Sequence, residues 1–174
     1  MNKCVIILML LISNTVMAQQ DAISKFFQKY EEDENFTSIF ISGKMFDMIS
    51  KIPAGEDEEV MKKTLQDLKG LRLLSSENVN GEQLMQEFTK KLNKEGYEEL
   101  MFIKEKGQPQ LQFLIQEEND TVHELLMLSG EGKSFFMLSF IGIIDLNQLS
   151  KLSESMEIDG MDQLKKLKTK PKNQ

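Results

Sequence analysis

The chain has 174 residues and a formal net charge of −7, with 28 acidic residues against 21 basic ones and one histidine. An acidic protein with a single arginine, Arg72, has little with which to hold phosphate backbones, so nucleic acid is not an expected partner. One cysteine, Cys4, cannot build a disulfide framework, and the lack of tryptophan with only two tyrosines disfavours a carbohydrate-stacking platform.

The N-terminus comes first in chain order. Lys3 precedes an apolar run from Val5 to Ile12, and Val16-Met17-Ala18 offers small or tolerated residues at a signal-peptidase site. The run is too short for a bilayer-spanning helix, which needs about 20 apolar residues. Residues 1–18 are expected to be a cleavable signal peptide and the mature chain to begin near Gln19. Cys4 lies before the apolar run instead of after it, so a lipid anchor is not expected. The mature chain then has no thiol for catalysis or metal binding.

Residues 19–164 are expected to form one domain, followed by a basic flexible tail at 165–174. Asp21 can cap a helix in which Ile23, Phe26, Phe27 and Tyr30 recur on one face. The acidic run Glu31 to Glu34 ends it. Thr37 to Ser42 is predicted as a buried strand, and Met45 to Ile52 as a helix stopped by Pro53-Ala54-Gly55. Glu56 to Leu68 follows as a helix closed by Gly70, then a short strand over Leu71 to Ser75. Asn80 can cap a helix with Leu84, Met85, Phe88 and Leu92 on one stripe, ended by Gly96.

Four strands are then predicted, Tyr97–Lys104, Gln110–Gln116, Val122–Ser129 and Ser134–Ile141. Turn residues separate them: Lys106-Gly107, Glu118-Asn119-Asp120 and Gly130-Glu131-Gly132. Such short links join antiparallel neighbours. A helix over Asp145 to Leu152 and another near Gly160 to Leu167 complete the series. Strand, glycine and amphipathic helix occur twice, at Phe40-Ile41-Ser42-Gly43 and at Phe140-Ile141-Gly142; convergent patterning accounts for this more simply than duplication. The expected fold is α+β, a two-layer sandwich with one mixed, mostly antiparallel sheet of about six strands and helices on one face.

The order of these pieces resembles an uncharacterised exported family of Gram-negative bacteria, domain of unknown function 4252. The resemblance rests on the helix Ile23 to Tyr30, the strand Phe36-Thr37-Ser38-Ile39-Phe40-Ile41-Ser42, the Lys69-Gly70-Leu71-Arg72 start of the next strand, the glycine-punctuated meander and the Leu149-Ser150-Lys151-Leu152 end. It implies no assigned activity and no catalytic residues. It does imply a place in the cell envelope, with a role in envelope regulation or stress response as a weaker suggestion. Some members look like lipoproteins, from which this sequence departs.

Reactive side chains are sparse. His123 and Glu124 are neighbours in a strand and point to opposite faces, so the one histidine lacks a same-strand carboxylate to orient it. Met45 and Met48 suit core filling better than copper binding, and the acidic runs lack the order of a calcium loop. Ser129-Gly130-Glu131-Gly132-Lys133 joins two strands and is a hairpin turn, not a phosphate loop. No metal or cofactor is expected, and catalytic residues are not assigned.

The expected function is therefore a non-enzymatic binding module, periplasmic or extracellular, with no transmembrane segment in the mature chain. The expected partner is an envelope protein or a small apolar ligand, and dimerisation is open. A lipid carrier and a carboxylate-based hydrolase are the alternatives. The candidate interaction surface is the wetter strand face bearing Gln110, Gln112 and Gln116, together with His123 and the tail lysines Lys165, Lys166 and Lys168.

Overall fold

The computed structural model describes residues 22–52 and 58–149. The leader, the Pro53-Ala54-Gly55 stop, the helix near Gly160 and the basic tail all lie outside them.

Helix α1 (Ala22–Glu31) buries Ile23, Phe26 and Phe27 on its apolar stripe. Phe26 meets Phe88 with ring centroids 3.8 Å apart. The backbone N–H of Asn35 donates to Asp33 Oδ1 at 2.9 Å, a local turn that redirects the chain into β1 (Thr37–Ser42). Helices α2 (Gly43–Ile49) and α3 (Glu58–Asp67) follow. Strand β2 (Leu68–Ser76) starts directly after α3, so Gly70 lies in the strand and does not close the helix as the sequence suggests. Buried Leu68 and Leu71 draw this segment into the sheet.

Helix α4 (Gly81–Lys94) is capped as its sequence predicts: the Asn80 side chain accepts from the Gln83 N–H at 3.0 Å. The meander is β3 (Glu98–Ile103), β4 (Leu111–Glu118), β5 (Thr121–Glu131) and β6 (Ser134–Gly142). Asn119 and Asp120 both adopt positive φ, at 52° and 59°, as a two-residue type I′ hairpin requires. Residues 146–149 begin a further helix, and Asp145 Oδ1 accepts from the Asn147 N–H at 2.9 Å.

The class is α+β, with a single six-stranded open sheet in the order β1-β2-β6-β5-β4-β3. Every pairing is antiparallel, so the sheet is not mixed; β1 returns to β2 as an antiparallel neighbour. The helices also cover both faces, where one was expected. Leu126 and Leu128 of β5 pack in one cluster with α1 and α4. Leu125 and Met127 belong to a second cluster with Phe46 of α2 and Leu65 of α3. The continuous run Leu125-Leu126-Met127-Leu128 is the physical reason, since a strand apolar at successive residues needs cover on both sides.

Candidate functional site

Helix α4 lies across β5 and β6, and a close backbone approach sets its position. An added methyl on Gly130 of β5 would overlap the Gly81 carbonyl oxygen and lie 2.8 Å from the Met85 Cβ. The Gly81 N–H donates to the Gly132 carbonyl at 2.9 Å, and the Val79 N–H to the Lys133 carbonyl at 3.1 Å. The hairpin after β5 thus holds the start of α4. Gly130 itself is a packing glycine, not a turn residue.

Beside this helix, over β3 and β4, runs an open groove of about 360 Å³. Its α4 wall carries Glu82, Gln86, Thr89, Lys90 and Asn93, and its strand side carries Phe102, Gln110 and Gln112. Gln112 is buried, and Phe102 pairs with it across β3 and β4. The Thr89 hydroxyl shares its one proton between Gln112 Oε1 at 2.6 Å and the Met85 carbonyl at 2.9 Å, and Gln112 Nε2 donates to Glu99 Oε2 at 2.6 Å. The carboxylate can only accept, so the nitrogen must face Glu99 and the oxygen Thr89. Each end of the amide keeps one further hydrogen-bonding position. Phe102 is 47% exposed, an aromatic surface set beside this fixed amide.

A larger concavity of about 570 Å³ sits at one end of the sheet, lined by strand ends, turns and the carboxylates of Glu34, Glu77 and Glu131. It holds none of the candidate interaction residues Gln110, Gln112, Gln116 and His123.

The structure brings Gln110 and Gln112 together in the groove. Gln112 is not on an open, wet face, because α4 packs over this side of the sheet. Gln116 is half-buried farther along β4 and pairs with Glu124 of β5. His123 is exposed and Glu124 buried, on opposite faces as their adjacency dictates. Lys165, Lys166 and Lys168 lie outside the described residues.

Glu124 is a second polar focus that sequence reasoning missed. The Tyr97 hydroxyl donates to Glu124 Oε2 at 2.6 Å and the Ser139 hydroxyl to Oε1 at 2.5 Å. A buried carboxylate needs such donors to offset its lost hydration. Ser139 is in register with Arg72 of β2, whose guanidinium donates to Ser24 Oγ of α1 at 2.9 Å. The available signal was one acid directly before an apolar run. Thr89, Glu99 and Phe102 were missed as well; for Thr89 the signal was a hydroxyl beside the stripe of Met85 and Leu92.

Among the described residues, no group of three or more His, Cys, Asp or Glu stands close enough to hold a metal ion, and no helix is long and apolar enough to cross a membrane.

An open, wholly antiparallel six-stranded sheet clothed by helices defines an α+β protein with a groove on its α4 side. Residues 30–152 match the family described as Domain of unknown function (DUF4252). The chain belongs to that family, and the matched span contains every strand among the described residues. No curated protein and no solved structure matches the chain.

Proposed function

We propose that this protein is a non-enzymatic binding module of the bacterial cell envelope, exported on residues 1–18, and that it captures an extended peptide segment of a partner in the groove beside α4. The observation that carries this reading is the buried Gln112 amide, held by Thr89 and Glu99 beside the exposed ring of Phe102. A peptide supplies both partners such a site takes: amides for Gln112 and Gln110, and a side chain for the Phe102 face. The rim offers Gln86 and Asn93 with one charge of each sign, Glu82 and Lys90, which favours a polar ligand of low net charge. The one histidine stands on the opposite face from Glu124, away from this groove's polar groups. The leader expectation, with its Val16-Met17-Ala18 site, supplies the compartment.

The test is affinity capture from a periplasmic extract. Protein recovered from that fraction is expected to have a mass beginning at Gln19 and to retain a peptide-bearing partner. Phe102→Ala, an exposed truncation, is expected to weaken capture about tenfold or more, as loss of an aromatic anchor does, with the melting temperature unchanged. Capture equal in wild type and variant would place binding elsewhere. Absence of any partner, or a cytoplasmic protein retaining residues 1–18, would overturn the reading.

A further inference from the structure

The two edges of the sheet are built differently. Edge strand β3 begins with Glu98 and Glu99 and carries a register shift between Glu99 and Met101; charge and irregularity of this kind keep an edge from recruiting another strand. Edge strand β1 has the sequence Thr-Ser-Ile-Phe-Ile-Ser, with no charge and no proline, and pairs with β2 over its whole length without a register shift. Among the described residues its outer row of backbone groups is protected by none of those devices. Ile39 and Phe40 on it are 44% and 61% exposed. Beside it, Met45, Met48 and Ile52 are exposed at a spacing of three and four residues, one stripe on and just after α2.

We propose that β1 is a homodimer interface, pairing antiparallel with β1 of a second copy to extend the sheet across a two-fold axis. Charge complementarity selects the occupant. The acidic run Glu31 to Glu34 precedes β1, and Lys44 and Lys51 follow it with Asp47 between them. These three side chains together carry one net positive charge although the chain as a whole is acidic. Antiparallel self-pairing sets the acidic end of one copy beside the lysine end of the other, at both ends of the interface. A parallel arrangement would instead set like charges together.

The axis must stand perpendicular to the sheet, so facing residues come from the same side and register sums are even. Centring on Ile39 sets Ile39 against its own copy, Ser38 against Phe40 and Thr37 against Ile41, and places the turn carrying Glu34 at the end where the partner's chain enters α2 with Lys44. The α2 stripes of both copies then lie on the same side of the joined sheet, flanking the axis. This inference does not depend on the groove, which lies at the far side of the sheet by β3 and β4.

Sedimentation velocity on the purified protein across about 1–100 µM, the micromolar range of moderate association, reads the outcome. The wild type is expected to shift from monomer to dimer within that range. Ile39→Lys is expected to be monomeric throughout with an unchanged circular dichroism spectrum, and Phe40→Glu, which faces Arg72, serves as a second edge variant if the first does not fold. Glu34→Lys and Lys44→Glu are each expected to weaken the dimer about tenfold, and the two together to restore it, which only antiparallel pairing of these ends produces. A wild type that stays monomeric, an edge variant that still dimerises, or charge reversals that fail to compensate would overturn the proposal. So would a monomeric wild type whose β1 edge binds a different protein.

Discussion

Gly130 shows how much one absent side chain decides. Its hydrogen leaves room for the Gly81 carbonyl and for Met85 at the start of α4. Gly130→Ala is expected to cost about 2–3 kcal/mol, the scale of an overpacked core, and to lower the melting temperature by about 5–10 °C for a domain of this size. A thermal melt checks this, and an unchanged midpoint would show that α4 can lift away freely. The role was illegible in the sequence because glycine beside Glu131 and Gly132 reads as turn chemistry, and nothing local reports a helix that starts as far back as Gly81. Asn80 was legible because its partner, the Gln83 N–H, is three residues away. Gln112 fell between these cases: alternation with Leu111 and Phe113 placed it on the correct face, but only tertiary packing shows that face to be covered.

At the scale of the element, surface charges act directly on α2. Asp47 accepts from Lys51 at 3.0 Å and from Lys44 at 3.3 Å, and these bonds, Lys51 first, hold its carboxyl below the usual carboxylate range. A carboxyl whose pKa is depressed on folding contributes stability that is present above its unfolded value and lost as pH falls through its folded one. Asp47→Asn is therefore expected to lower the melting temperature slightly at neutral pH. The difference from wild type should vanish once both species are below the carboxylate range, and shrink in high salt because the group is exposed. A difference that grows on acidification would show that another group is responsible. Element boundaries were legible where periodicity changed sharply, as at Thr37–Ser42. They were displaced where α3 passes straight into β2, because Gly70 carries a local stop signal that burial of Leu68 and Leu71 overrides.

At the scale of the molecule, β5 belongs to two cores at once. Leu125 and Leu126 are both fully buried, in different clusters, so removing either side chain damages a different layer through the same backbone. Leu125→Ala and Leu126→Ala are each expected to cost about 2–5 kcal/mol, and calorimetry of either is expected to show one transition, because the shared strand couples the layers. Two resolved transitions in either variant would mean that the faces melt independently. The α+β class was legible from element order alone. The second covered face was not, since each helix advertises a single stripe and none states which side of a sheet it will meet. The pinned start of α4 also bears on timing. A wall tied to the neighbouring hairpin by two backbone bonds cannot swing outward without breaking them. The slot beside it is finished when the chain folds, and a guest would have to match a shape already there, its arrival governed by encounter and its residence by fit.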